Sequence, residues 1–357
     1  MKVNDCPPVW IGPDISEPLN NWLEQAGYTK IWILTDRNSD AFCLDQLINK
    51  VPLLAKASLI TIEPGEEAKS LASCEKIWDK LTYEGADRKS LLCNLGGGVV
   101  SDLGGFAASA FMRGISFIQI PTTLLAMVDA TIGGKTGINF SGIKNLIGSF
   151  QHASGVFAQT NFLASLHPHE ILSGYAEMLK HSLIEGGKHW QSIREMENPT
   201  ASNLDELLIA SIQLKLRITN EDFKESGLRE VLNLGHTTAH ALESLYFEQK
   251  QPLMHGFAVA AGMAIETHLA EHLQTGLQQS EAKQIREYIY QIFPPVKFTP
   301  DQINRLIDHM QHDKKNNAGK IRFSLLASIG NARHGFEAST TEIEKALNMY
   351  LTDVSHH

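Results

Sequence analysis

Residues 90–114 read SLLCNLGGGVVSDLGGFAASAFMRG, and this stretch decides the architecture. Its opening, 90–95, is a short apolar run without helical spacing, as a strand buried on both faces requires. Gly96, Gly97 and Gly98 follow with a turn at which backbone amides can approach a ligand closely, because no Cβ stands in the way. The small residues behind them allow the next helix to pack tightly. Such a turn suits a nucleotide or phosphate at a helix N-terminus, although its spacing is not the GxGxxG of ordinary dinucleotide folds. A structural tight turn with small packing residues is the alternative reading.

Working outward, KIWILTD at 30–36, ASLITIEP at 57–64 and SFIQIP at 116–121 repeat the pattern of an apolar run that ends in a turn. Pro121 stops the last of them. Between these runs, 70–83 is amphipathic, with Leu71, Cys74, Ile77, Trp78 and Leu81 on one broad face. Alternating strands and helices with glycines at strand ends predict an open α/β sheet, its ligand beyond the carboxyl ends of the strands. After about residue 165 the periodicity turns helical, over 203–219, 233–246, 256–273, 279–292 and 300–310. The apolar segment 321–330 reads as a small strand or hairpin. The expectation is an α/β domain over 1–165 and a mainly helical domain over 166–357.

Composition narrows the function. A chain of 357 residues with 43% hydrophobic and 20% charged residues has enough apolar side chains for two folded domains. Its net charge of -9, from 31 basic and 40 acidic residues, argues against a general nucleic-acid binder. Anionic small molecules stay open, because a local cluster of cations sets the field at a pocket. The first ten residues lack the basic and apolar regions of a signal peptide. The longest apolar stretches are broken by Gln119, Asp129 or glycines, so no membrane partner is expected and a cytoplasmic enzyme is the natural inference. Cys6, Cys43, Cys74 and Cys93 have no paired metal spacing and read as reduced thiols.

Two constellations carry chemistry. GGKTG at 133–137 imitates a phosphate-binding P-loop, but position 129, where the first glycine belongs, is aspartate. The same region nonetheless gathers Arg113, Lys135, Lys144 and Asn145 among glycines, serines and threonines, which suits a phosphate and a carboxylate. A solvated charged loop is the bland alternative. Further on, His236 and His240 stand four residues apart, with Glu243 three beyond. Periodicity alone makes these a helix-borne metal set, against which stand ordinary core histidines.

Taken together, 96–114, PTTLLAMVDATIGGKTGIN at 121–139, GIKNLIGSF at 142–150, GYAEMLKH at 174–181, ESGLREVLNLGHTTAHALE at 225–243 and HGFAVAAGM at 255–263 resemble the 3-dehydroquinate synthases. The matches run in order from about residue 30 to residue 330. The resemblance implies a Rossmann-like NAD-binding α/β domain followed by a mainly α-helical metal-binding domain, with the active site in the cleft. It implies NAD contacts from Asp36, Asn38, Glu66, Lys69, Gly97, Gly98, Asp102, Thr122, Thr123, Lys144, Phe162 and Ser165. Substrate contacts carried over in the same way are Arg113, Asp129, Lys135, Asn145, Lys180, Lys215, Arg229, Asn233, His240 and Lys314, with Lys320 standing nearby in the same basic segment. One divalent ion per subunit would be held by Glu177, His236 and His255. Zinc is the family expectation and cobalt a functional substitute. His240 would then orient or protonate a reacting oxygen instead of binding the ion, and the chain would be a homodimer. The sequence departs from the family at SDLGG, at Ala239 beside His240 and at Gln151-His152-Ala153, which bears on local backbone shape and leaves every ionisable group in place.

The implied substrate is a phosphorylated sugar acid, 3-deoxy-D-arabino-heptulosonate 7-phosphate, and the products are 3-dehydroquinate and phosphate, a step toward aromatic amino acids. NAD takes a hydride from C5, and the resulting ketone acidifies the C6 proton. Phosphate leaves C7, the hydride returns, the ring opens and an aldol addition closes the carbocycle. No net NADH accumulates. A related sugar-phosphate cyclase, a secondary-alcohol dehydrogenase with net cofactor turnover and a non-enzymatic binding module are the competing readings.

Overall fold

The computed structural model describes residues 2–3, 7–311 and 320–355. Seven strands build its main sheet: β1 (Lys2–Val3), β2 (Val9–Gly12), β3 (Ile31–Asp36), β4 (Ser58–Ile62), β5 (Leu91–Gly96), β6 (Ser116–Pro121) and, after a separate hairpin of β7 (Lys135–Phe140) and β8 (Ile143–Phe150), β9 (Gly155–Gln159). Their order is β1-β2-β9-β6-β5-β3-β4; β1 runs antiparallel at one edge and the other six are parallel. Every residue of β5 is buried, which its unbroken apolar run demands in a sheet covered on both faces. From β3 the chain steps outward to β4 and then returns to place β5 on the other side of β3. That reversal is a topological switch point, and ligands of open α/β sheets bind outside the strand ends there. Asp36 and Gly96 end the two strands that flank it.

Local sequence explains the helices around this sheet. Gly27, in the left-handed region at φ 62°, closes the helix Ser16–Ala26. The Ser70 hydroxyl accepts from Ser73 N at 3.3 Å and starts the helix Leu71–Tyr83. The helix Gly98–Ala110 must be built of small residues because it lies almost on the sheet. A Cβ on Gly104 would fall 2.0 Å from Asn94 Oδ1, and one on Gly105 2.4 Å from Thr136 Cγ2. Below them the core gathers Leu19, Leu23, Ile33, Leu95, Ile118 and Phe157, with Trp10 stacked on Phe157 at 4.4 Å. The GGKTG segment runs into strand β7 and no helix follows it, so it is no P-loop.

The chain forms two compact units, Met1–Ile171 with Thr200–Lys224, and Leu172–Pro199 with Glu225–His357. The helix Asp205–Glu221 therefore belongs with the sheet, although a single composition change near residue 165 would have left it on the other side. In the second unit the helix His255–His272 is buried over residues 256–270 and carries no charge over 256–265, as the buried part of a central helix requires. Against it pack the helices His236–Glu248, Gln279–Ile292 and Thr340–Val354 and the first strand of a hairpin of β10 (Ile321–Ser328) and β11 (Asn331–Ala338), while the helix Ile303–Gln311 packs on His236–Glu248 and Thr340–Val354. The expected class is the one observed, a parallel α/β part followed by a mainly helical part. Among the described residues no helix is long and apolar enough to cross a membrane.

Candidate active site

In the first unit the functional edge lies at the carboxyl ends of β3, β5 and β6. Gly97 is the N-cap of the helix Gly98–Ala110 and offers no side-chain cap, so the first-turn amides are left to a ligand or to solvent. A Cβ on Gly97 would come within 3.2 Å of Thr123 Cγ2, and one on Gly98 within 3.5 Å of Ala130 Cβ. Thr122 N donates to Gly96 O at 3.0 Å, which draws the ends of β5 and β6 together, while Thr123 Oγ1 accepts from Ala126 N at 3.1 Å. Asp36 ends β3 with its carboxylate accepting from Ser39 N at 2.7 Å, and Asn38 is exposed in that turn. Phe162 is fully buried in the core. Ser165 Oγ donates to that residue's carbonyl at 2.9 Å.

A second group of these residues is tied together by one that sequence reading passed over, Asn139. Its Nδ2 donates to Glu66 Oε1 at 2.8 Å, its Oδ1 accepts from Asn145 N at 2.9 Å, and its own N donates to Lys69 O at 2.9 Å. Asn145 is thereby pinned with φ at 53°. Lys69, itself buried, reaches the Asp102 carboxylate at 2.5 Å. Burial pushes the Asp102 carboxyl above its ordinary range, against the pull of Lys69. Lys135 and Lys144 are exposed on β7 and β8. Lys215 donates to Asp129 O at 2.7 Å and pairs with the Asp129 carboxylate, joining two expected substrate residues across a long stretch of chain. Arg113 is exposed on the turn Phe111–Arg113, where Met112 at φ 51° and Arg113 at φ 67° are consecutive left-handed non-glycine residues. Such strain is costly without a compensating role.

The second unit brings Glu177, His236 and His255 together. Glu177 stands fully buried on the helix Pro168–Glu185, and each histidine is the first residue of its own helix. Both imidazole Nε2 atoms lie 3.5 Å from Glu177 Oε1, and one ligand atom from each of the three residues falls within 4.8 Å of the others. The remaining ring nitrogens are engaged from behind. His236 Nδ1 is 3.1 Å from the Leu234 carbonyl and must donate to it, and His255 Nδ1 is 3.5 Å from Glu243 Oε1. Outer partners of this kind fix the tautomer that presents Nε2. Glu243 thus backs His255, and the set His236, His240 and Glu243 suggested by periodicity is not the one assembled. His240 is exposed, its ring 5.7 Å from that of His236 and outside the group.

Lys180 is buried and paired with Glu177. Burial works to raise the Glu177 carboxyl, but Lys180 and the two histidines hold it well below the usual range. Burial and Lys180 press the His236 imidazole down. His255 is opposed by burial yet pushed up to about 10 by Glu177 and Glu243. A carboxylate held ionised and two imidazoles facing it form a donor set that fits a divalent ion with open coordination positions. Arg229 is buried in the turn Leu228–Asn233, and Asn233 Nδ2 donates to Glu225 Oε1 at 3.1 Å. Lys314 lies outside the described residues.

Known proteins resemble this chain over nearly its whole length. Sequence models of the 3-dehydroquinate synthase N-terminal and C-terminal domains match residues 59–173 and 174–316. The 3-dehydroquinate synthase of Parabacteroides distasonis is 42% identical over 96% of this chain and 97% of its own length. That of Leptospira interrogans is 36% identical over 96% and 94%. Among solved structures, the 2-epi-5-epi-valiolone synthase of Streptomyces hygroscopicus with NAD+ and Zn2+ bound is 27% identical, with a TM-score of 0.76 over 97% of this chain and 96% of that one. A 2-deoxy-scyllo-inosose synthase complexed with carbaglucose-6-phosphate, NAD+ and Co2+ shares the fold at a TM-score of 0.86 and 21% identity, over 98% of this chain and 100% of that one.

Proposed function

This chain belongs to the 3-dehydroquinate synthase family, and on that premise we propose that it converts 3-deoxy-D-arabino-heptulosonate 7-phosphate into 3-dehydroquinate and phosphate with NAD and one divalent ion. The observation that carries the reading is the convergence of Glu177, His236 and His255, with Lys180 paired to the carboxylate. A helical pair of histidines would suit many proteins. A carboxylate and two helix-leading imidazoles, each backed by an outer acceptor, suit a Lewis-acid site. When bound, the ion would polarise a substrate hydroxyl and NAD would take up and return its hydride.

The protein's own residues have separate tasks in this proposal. Gly97 and Gly98 leave room for the pyrophosphate of NAD, with Asp36, Asn38, Thr122 and Thr123 on the neighbouring strand ends and Glu66, Lys69, Asp102, Lys144, Phe162 and Ser165 completing the cofactor set. Arg113, Lys135, Asn145 and Lys314 are assigned to the phosphate. Lys215, positioned by Asp129, and Arg229 with Asn233 are assigned to the carboxylate and ring. Lys180 is assigned to a substrate oxygen, since a cation beside the ligand Glu177 would not itself coordinate metal. His240 is assigned proton transfer at a reacting hydroxyl. Zinc is the ion proposed, with cobalt as substitute.

A homodimer with a cytoplasmic location completes the proposal. Phe140, Ile143, Leu146, Ile147 and Phe150 are all exposed on the open β7–β8 ribbon, an apolar patch that a second copy would cover. Light scattering that gives a monomer at working concentration would contradict the dimer. The decisive test of function is incubation of purified protein with isotope-labelled substrate. Phosphate release and carbocycle formation without net NADH are expected. Strict preference for sedoheptulose 7-phosphate would overturn the substrate, and stoichiometric NADH from a simple alcohol would overturn the reaction class.

A further inference from the structure

Glu266 sits deep in the helix His255–His272, 1% exposed, in the second half of a helix whose residues 256–265 carry no charge. Both its oxygens are used toward the start of the neighbouring helix His236–Glu248: Oε2 accepts from Gly235 N at 2.6 Å and Oε1 from Thr238 N at 3.1 Å. The two helices are pressed together at this point. A Cβ on Gly262 would fall 2.1 Å from Gly235 O, and one on Gly235, whose φ is 80°, would fall 2.7 Å from Met263 Cγ. The contact to Thr238 N is a helix cap supplied by another helix. The contact to Gly235 N reaches further, because that N–H shares one planar peptide group with the Leu234 carbonyl. The same carbonyl, 3.1 Å from His236 Nδ1, is the acceptor that leaves Nε2 aimed at Glu177.

We propose that Glu266 is a positioning residue for the metal ligand His236, acting through the single peptide group that joins Leu234 to Gly235. The carboxylate polarises that peptide from its N–H side, which strengthens the carbonyl as an acceptor and fixes the Nδ1–H tautomer of the ring. It also links the helix that starts with His255 to the helix that starts with His236, so the two imidazoles are held at one spacing. The inference rests on the reading that Glu177, His236 and His255 hold the divalent ion.

The test is metal binding by Glu266→Gln, which keeps one acceptor oxygen and sets an NH2 group against an N–H donor. Zn2+ affinity by chelator competition should fall about 10- to 100-fold, the usual effect of removing an outer partner of a ligand. The visible spectrum of the Co2+ form should change, with far-UV circular dichroism and NAD affinity as in the parent. Parental Zn2+ affinity together with a parental Co2+ spectrum would make Glu266 a helix cap only and overturn the proposal. His236→Ala and His255→Ala run alongside: if both retain Zn2+, the metal site itself has been misread, a different failure. Should Glu266→Gln not fold, histidine-ring nitrogen NMR of the metal-free parent decides. An Nδ1–H tautomer at His236 with a strongly downfield Gly235 amide proton is expected, and an Nε2–H tautomer would overturn the relay.

Discussion

Replacing Asn139 with alanine should loosen the cofactor and the phosphate end of the substrate together, although neither is expected to touch it. The side chain has two arms: Nδ2 donates to Glu66 Oε1 at 2.8 Å and, at a longer 3.4 Å, to Glu66 O, and Oδ1 accepts from Asn145 N at 2.9 Å, while the backbone bond to Lys69 survives the substitution. The first has a charged partner, but Glu66 is exposed and solvent screens it, so about 1 kcal/mol is a fair value. The second holds Asn145 at φ 53°, a left-handed position that also costs about 1 kcal/mol to populate without support. At 1.4 kcal/mol per factor of ten, each arm is worth about fivefold, so the NAD dissociation constant and the substrate KM should each rise about fivefold. Asn139→Asp separates the arms. It keeps the acceptor for Asn145 but sets a carboxylate against Glu66, so NAD should weaken while KM stays near the parent. Titration calorimetry for NAD and steady-state phosphate release for KM measure both quantities. An Asn139→Ala enzyme with both constants within about twofold of the parent, or one whose loss falls on kcat alone, would refute the bridging role.

Three further outcomes follow from the same structure. His255→Ala should lose most bound Zn2+ on dialysis, while His240→Ala keeps it and loses activity, because His240 lies outside the group of ligand atoms; metal loss from His240→Ala with His255→Ala fully loaded would restore the helical-pair reading. Gly104→Ala should destabilise the protein by about 1–3 kcal/mol in urea unfolding, since its Cβ would meet Asn94 Oδ1 at 2.0 Å in a packed site; an unchanged midpoint would show that the helix can lift off the sheet. Burial pushes the Cys43 and Cys74 thiols up to about 12 and raises Cys93 as well, so a Cys6→Ser protein should resist disulfide reagents at pH 8 and react only in denaturant. Fast labelling of the native Cys6→Ser protein would show that one of these thiols is reachable.

Much of the fold was legible because its signals are local. β3, β5 and β6 are apolar runs that stay buried on both faces, and 279–292 is helical over its whole predicted length. The β7–β8 hairpin was not legible, because Gly137, Gly142 and Gly148 read as loop residues. In the structure two of them are what lets the strands meet: a Cβ on Gly148 would stand 2.3 Å from Thr136 O, and one on Gly137 2.8 Å from Ile147 O. The placement of the helix Asp205–Glu221 was hidden for a different reason. An amphipathic pattern says that a face will be buried, but not against what, and the partner here is settled by Lys215 reaching Asp129.

The same distinction separates the parts of the site. His236, His240 and Glu243 share one helix, so periodicity made them neighbours whether or not they serve one ion. Glu177 and His255 come from two other helices, and no spacing rule reaches them; only the resemblance of GYAEMLK and HGFAVA to a family did. Glu266 shows what a single sequence does offer beyond that. A glutamate after ten uncharged residues of an apolar helix must leave water when the helix is buried, at a cost that only good hydrogen bonds offset. The sequence therefore announces that something will use that carboxylate. Which donors use it is fixed by Gly262 and Gly235, the two positions where missing side chains let the helices close to within reach. Restoring a side chain at Gly262 should accordingly mimic loss of Glu266: Gly262→Ala should weaken Zn2+ binding with the glutamate intact, and a Gly262→Ala protein that folds and binds Zn2+ like the parent would mean that the close approach of these helices does not govern the ligand.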